Sequence, residues 1–415
     1  MKNKYFIKEC KLIPTEGSSL KREFEISAGN PTISYYESIK SPSISLTLNF
    51  LDVDMLVSRE GITGGEYLSL IIRNEGYDDF EIKPDKHFLM LNSVKDVTTQ
   101  SSKQQATLEF VSVEAIINET ARVNRRFTGN VTQTVTRLLK EKRGIETSKN
   151  LDSDRASNSY SFVGNLKRPF DTIQWLCSKT QSTNGYGFLF FETIDGYVFK
   201  SIENLLNQET IEFKKKEKAQ DANEPDDFRI IEDNLNQTND IGLNCRMGMY
   251  ANKTIYINLD SASQKNVEFK IKDLDLKKSP KLPNKLDTIP TRLMLRVLDK
   301  GALQKGSKKD QIQKENELAI YQSKSYARAN LIFSQSMSIT IPFRPDLRAG
   351  KMLELRFPLR KSGNQQSTMY GKDSDDDVSG KYLISELKHT IGNNESTTQL
   401  KLIRDVFTAK IKETG

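Results

Sequence analysis

The sequence predicts a β-rich α+β protein of several domains, built on two antiparallel barrel-like domains with α+β insertions. Three observations predict it. Apolar and polar residues alternate over short runs in the first 115 or so residues and again from Ser336 to Val406, the period of strands with one buried face. From about Glu119 the apolar spacing changes to that of an amphipathic helix. The length of 415 residues also exceeds what one core of ordinary size takes up.

Taken in order, the alternation opens with Phe24 and Ile26, continues with Ile33 and Tyr35, and then runs through Ile44, Leu46, Leu48 and Phe50. In GITGGEYLSLIIRNEG, Gly64 and Gly65 turn the chain into a strand from Tyr67 to Ile72, and KHFLMLNSVKDV and QQATLEFVSVEAII supply two more. Residues 1–118 are therefore expected to form the first barrel-like domain. Residues 119–205 read as an α+β insertion. In TGNVTQTVTRLLKEK, Val131, Val135, Leu138 and Leu139 share a helical face, with Thr128 or Asn130 as a cap. A second helix starts at Pro169 and carries Phe170, Ile173, Leu176 and Cys177, and GYGFLFFETIDGYVFKS turns as a hairpin at Asp195-Gly196.

KKKEKAQDANEPDD, from Lys214, is charged and without aromatic residues, as a linker or exposed loop is. Residues 246–319 form a smaller basic insertion with strands in NKTIYINLD and NVEFKIKDLDL. Residues 206–245 and 320–412 make the second barrel-like domain. It opens on a helix in LAIYQSKSYARANLIF, whose Leu318, Tyr321, Ser325 and Ala329 align. Two strand pairs follow, one turning through a Pro and Gly loop, the other through Gly392, Asn393 and Asn394.

Composition restricts the function. The amino terminus has no apolar core after its charges, and no apolar run reaches the roughly 18 residues of a membrane span, so synthesis and retention in a cytoplasm are expected. Cys10, Cys177 and Cys245 are odd in number and far apart, which indicates reduced thiols rather than disulfides or a zinc site. The formal charge of +7 comes from 62 basic and 55 acidic residues. Its one concentrated tract, Lys265 to Lys308 with Lys270, Lys272, Lys277, Lys278, Lys281 and Lys285, has Phe269 as its sole nearby aromatic, which disfavours a single-strand nucleic-acid platform.

Reactive constellations are scarce. His87 and His389 are the two histidines, one before and one within a predicted strand, and both read as structural or surface residues. GITGGE lacks the Lys or Ser of a phosphate loop and leads into a strand, so it is a turn. Asp373, Asp375 and Asp377 have calcium-loop spacing, but Val378 stands where that loop needs Gly and Ile384 where it needs Glu, so a solvated loop is expected. No catalytic, cofactor-binding or metal residue is assigned, no cofactor is expected, and the chain is read as not an enzyme.

KYLISELKHTIGNNESTTQLKLIRD, preceded by SITIPFRPDLRAGKMLELRFP, resembles the closing strands of the baseplate hub proteins of contractile-tailed, T-even-like bacteriophages. YYESIKSPSISLTLNFLDVDMLVS followed by ITGGEYLSLIIRN looks like that family's first tube domain. GNVTQTVTRLLKE and RPFDTIQWLCSKTQSTNGYGFLFFETIDGYVFKSIENLL look like its inserted domain. The likeness holds in order over most of the chain and rests on strand and turn patterns; KKKEKAQDANEPDD and the basic tract have no counterpart in it. The resemblance implies a homotrimer that joins a six-fold tail tube to a three-fold spike, with tail tube, spike and other baseplate proteins as partners. It also implies a channel through which DNA leaves without sequence-specific binding, and a virion location after assembly in the host bacterial cytoplasm.

Rival readings are the spike base or tail-tip hub of another injection system, a tail-associated cell-wall hydrolase, and a small-barrel nucleic-acid binder with strongly salt-dependent DNA affinity. The chain ends soon after its last predicted strand, which argues against a fused spike, and the shortage of histidine argues against a metal-dependent hydrolase.

Overall fold

The computed structural model describes residues 5–53, 55–74, 78–100, 103–215, 229–237, 240–258, 262–274, 286–297, 308–357, 378–392 and 396–405. The three aspartates at 373, 375 and 377, Lys277, Lys278, Lys281 and Lys285, most of KKKEKAQDANEPDD, and Asn393 and Asn394 lie outside the described residues.

Eight strands come first: β1 (Tyr5–Ile13), β2 (Phe24–Glu25), β3 (Thr32–Ser38), β4 (Ser45–Asp52), β5 (Tyr67–Asn74), β6 (Phe80–Ile82), β7 (Leu89–Gln100) and β8 (Lys103–Ser112), with a short α1 (Leu56–Arg59) after β4. Then follow α2 (Val113–Thr120), β9 (Arg126–Phe127), α3 (Val131–Lys140), β10 (Leu151–Ser153), β11 (Phe162–Val163), α4 (Pro169–Cys177), β12 (Phe188–Thr193), β13 (Gly196–Ser201) and α5 (Ile202–Leu206). After β14 (Thr210–Lys214) and β15 (Glu232–Gln237) come α6 (Ile241–Arg246), β16 (Ala251–Asn258), β17 (Ser263–Lys270) and β18 (Arg292–Val297). The chain closes with α7 (Lys308–Leu331), β19 (Gln335–Pro342), β20 (Met352–Arg356), β21 (Gly380–Ile391) and β22 (Ser396–Arg404).

The β-rich α+β class is what the structure has. One 14-stranded sheet dominates, and its main run is β15-β19-β22-β21-β3-β4-β8-β7. Beyond β7 the ladder thins to a single pair, Tyr67↔Met90, before it resumes through β5, β1 and β2. The alternation read from the sequence is the burial pattern: Ile33, Tyr35, Ile44, Leu46, Leu48 and Phe50 are buried, and their neighbours face outward.

What alternation did not show is that β3 pairs antiparallel with β21, from Glu386↔Ser38 to Ile391↔Ile33. The two barrel-like parts therefore share one sheet. They also share one core, in which Leu46, Leu48 and Phe110 belong to the same cluster as Met337, Ile339 and Leu400. Strand β21 serves two partners along one edge, its first residues pairing with β20 and its last six with β3, and it pairs with β22 along the other, with a register shift between Ile384 and Glu386. An extra residue there bends the strand away from one neighbour toward the other.

Two local expectations change. QQATLEFVSVEAII stops being a strand at Ser112, because Glu114 turns inward to a buried ion cluster and the Asn118 side chain accepts the Phe170 N–H at 2.9 Å; Val113–Thr120 is the helix α2. Pairing is also not wholly antiparallel. β14 runs parallel to β20, β10 to β13 and β16 to β18. Parallel neighbours need long crossovers, and the chain between β14 and β20 supplies one that includes the second insertion.

The first insertion folds as the spacing predicts. Asn130 accepts the Thr132 N–H at 3.0 Å and starts α3, whose Val131, Val135, Leu138 and Leu139 are buried with Phe170, Ile173 and Leu176 of α4. Strands β12 and β13 close at Thr193↔Gly196, where Gly196 has φ +129°. In the second insertion β17, β16 and β18 form a three-stranded sheet, and Phe269 and Ile271 pack with Ala327 and Leu331 of α7. Among the described residues no helix is long and apolar enough to cross a membrane.

Gly350 ends the Pro and Gly turn before β20 with φ +81°, and a Cβ there would lie 2.5 Å from Cζ of Phe191. Phe191 sits wholly buried among Ile202, Leu383 and Ile403 and has no room to withdraw. Gly350→Ala is expected to destabilise the protein by about 1–3 kcal/mol, read as a lower urea midpoint with an unchanged slope.

Candidate functional site

The residues flagged from the sequence do not converge. His389 is wholly buried against Tyr35, Phe80 and Phe343, with ring centroids 5.9, 5.7 and 5.0 Å away, and its Nδ1 shares a 2.8 Å hydrogen bond with Thr398 Oγ1. Burial, with the Arg348 charge adding to it, pushes its pKa down to about 3, so the ring is neutral and structural. His87 is half-buried, and burial followed by the Lys149 charge lowers its pKa.

Gly64 and Gly65 have φ +134° and +101°, the backbone a glycine turn takes, and the Gly65 N–H donates to the Leu91 carbonyl of β7 at 2.9 Å. The three cysteines are unpaired thiols, and burial raises the pKa of each. Among the described residues no group of three His, Cys, Asp or Glu side chains is placed to hold a metal.

Two other features were not anticipated. The first is a buried polar junction between the first insertion and the main sheet. Lys149 Nζ lies 2.7 Å from Glu114 Oε2 and 2.6 Å from Glu192 Oε1, and all three side chains are at most 5% exposed. Glu192 Oε2 accepts from Ser112 Oγ at 2.5 Å and from the Ile44 N–H at 2.9 Å, while Glu114 Oε1 accepts from Thr147 Oγ1 at 2.6 Å. Burial raises the pKa of Glu192 and Lys149 opposes that rise; Lys149 itself is held above the usual lysine value by the two carboxylates, which outweigh the burial that would lower it.

Close by, Glu37 of β3 accepts from Tyr35 Oη at 2.8 Å, from the Ile194 N–H at 2.9 Å and from the Ala349 N–H at 2.8 Å. One carboxylate thus ties β3, the β12–β13 turn and the loop before β20. Arg348, beside it, donates to Asp195 at 3.0 and 3.2 Å. On the far side Arg328 of α7 bonds Glu203 at 2.5 Å and Asp405 at 2.9 Å. These carboxylates are occupied by the protein's own donors. The arrangement fixes parts of the chain against one another.

The second feature is the outer face of the sheet. A groove of about 970 Å³ runs across the β3–β21 seam. Paired rows cross it: Ser45 faces Tyr36, Tyr36 faces Lys388, Lys388 faces Gln399 and Gln399 faces Thr340. The next row carries Ser38, Glu386, Lys401 and Ser338, and Lys401 lies 3.3 Å from Glu386. The face is mainly hydroxyls, amides and charges, with Lys388 lying over the Tyr36 ring at 5.5 Å.

The sequence matches no protein-family model and no curated protein. The fold is similar to that of solved structures. A tail protein from Neisseria meningitidis MC58 aligns with a TM-score of 0.55 at 10% identity over 97% of this chain and 98% of that one. A 43 kDa tail protein of prophage MuSo2 from Shewanella oneidensis aligns with a TM-score of 0.53 at 8% identity over 96% and 99%. At these identities the likeness is one of fold.

Proposed function

We propose that the chain is a structural virion protein, the central baseplate hub of a contractile tail. Three copies close into a ring that joins the six-fold tail tube to the three-fold spike and lines the DNA exit channel. The observation that carries this reading is the eight-strand run β7-β8-β4-β3-β21-β22-β19-β15. It consists of two antiparallel groups of four joined at β3 and β21, so three chains bring six such groups to a ring. That number suits a six-fold tube above and a three-fold spike below. Similarity of fold to two tail proteins supports the same role.

The division that goes with it is residues 1–118 as first tube domain, 119–205 as inserted domain, 206–245 with 320–412 as second tube domain, and 246–319 as a basic insertion. Ring closure would join β15 of one copy to the β7 end of the next, since strand edges are where sheets extend. Interfaces of obligate size, on the order of 2,000 Å² or more, are expected. The polar face with Tyr36, Gln399 and Thr340 would then line the channel. Lys401 and Lys40 are offset by Glu386 and Lys215 by Asp233, and Lys388 lies over the Tyr36 ring, so the face gives phosphates little to hold and lets DNA pass without sequence-specific binding.

The role is mechanical and non-enzymatic, in the tail baseplate, after assembly in the host cytoplasm. Light scattering on the purified protein, alone and with its spike, tests it. The expected mass is three times 47.3 kDa, or a shift to a three-to-three complex on mixing; a strict monomer indifferent to the spike would remove the ring.

A further inference from the structure

The basic insertion carries a sheet separate from the 14-stranded one, and it holds the most exposed aliphatic surface among the described residues. Along β18, Leu293, Leu295 and Val297 are 69%, 69% and 60% exposed. The alternate residues Arg292 and Arg296 turn the other way, over the ring of Tyr326 on α7 at 5.4 and 5.8 Å. Across the parallel pair, Ile255 stands beside Leu295 and Ile257 beside Val297, which extends the apolar face onto β16. Among the described residues β18 pairs with β16 alone and is the edge of its sheet. The two arginines face α7, so the outer face of this edge strand is aliphatic from Leu293 to Val297 and the strand holds no proline, which leaves it a template for another strand.

Charge selects the occupant. Residues 246–319 hold 16 Lys and Arg against 9 Asp and Glu, a net +7 that equals the formal charge of the whole chain, so the remaining residues balance to zero. Two copies meeting at this edge would bring two such insertions together, and phosphates of a nucleic acid would meet leucines. We propose that the free edge of β18 receives an extended segment of an acidic partner protein as a fourth strand. Its alternate aliphatic side chains would lie beside Leu293, Leu295 and Val297, and its flanking Asp and Glu would be attracted by the net positive charge of the insertion. Strand β18 lies outside the sheet run of the proposed ring, so a peptide can bind its edge whether or not the ring forms.

The test uses the full chain and a fluorescent nonapeptide, Glu-Asp-Val-Thr-Val-Thr-Val-Asp-Glu, with a second peptide in which Lys replaces the four acidic residues. Fluorescence polarisation should show the acidic peptide binding at least tenfold more tightly than the basic one, with affinity falling as salt rises. Amide exchange of Arg292–Val297 should slow on binding. Leu293→Thr with Leu295→Thr should weaken binding at least tenfold; both side chains are mostly in solvent, so the fold is kept. Equal binding of the two peptides, unchanged exchange in β18, or an unaffected double variant would overturn the proposal. Self-association of the wild-type chain that the double variant abolishes would also overturn it, in favour of a second copy.

Discussion

Lys149→Met is expected to lower the unfolding free energy by about 3–5 kcal/mol, the cost of removing one partner from a buried ion cluster. Lys149 is the cation between Glu114 and Glu192, and all three groups are shut off from water. Without it two carboxylates face each other in a low-dielectric site, and one must take up a proton. The loss should therefore be larger at pH 8 than at pH 5, where protonation of a carboxylate relieves the repulsion. Adding Glu192→Gln should recover part of it, since the amide can still accept from the Ile44 N–H. Urea unfolding of the single and double variants at both pH values measures this. A loss below about 1 kcal/mol would mean that the junction is not a clamp.

The second large effect is acid sensitivity from His389. Unfolded, the imidazole takes a proton near pH 6.5; folded, it resists until about pH 3. Between those values the unfolded chain binds more protons. The stabilising contribution is thus fully present above pH 6.5 and is lost as pH falls, by about 1.4 kcal/mol per pH unit and about 5 kcal/mol in all. Glu37 and Glu192, whose pKa values burial raises, act in the opposite sense, losing stability as pH rises through their folded values. The histidine's share is isolated by His389→Phe, which keeps a ring among Tyr35, Phe80 and Phe343. Its stability should fall less steeply between pH 6 and pH 4 by about one proton's slope; identical slopes in variant and wild type would show that the buried ring is protonated in the folded state.

Much of the fold was legible because alternation is a local property. Leu46, Leu48 and Phe50 read as one buried face, and they are one. So did the helix capped by Asn130 and the hairpin at Gly196. The β3–β21 seam was not legible, since Ser38 and Glu386 are distant in sequence and which strands become neighbours leaves no periodic signal. The outer face was hidden for the same reason. Ser45, Tyr36 and Gln399 are unremarkable one strand at a time and become a polar wall when the strands are ordered.

The ion cluster was missed because Glu114 lay in what read as a strand and Lys149 in a loop; a lysine is rarely buried unless paired, and sequence shows no pairing. Strand β18 was absorbed into a basic tract because Arg292 and Arg296 alternate with its leucines, although that same alternation marks a strand.

The central claim is that copies of this chain close into a ring with the polar sheet face inward. Electron cryomicroscopy of the purified protein, alone or with its spike, tests it most directly. The account predicts closed rings of three chains, six similar sheet groups around the opening, and Tyr36, Lys388 and Thr340 facing the lumen. Rings with that face outward, or single chains at every concentration and in the presence of the spike, would contradict it.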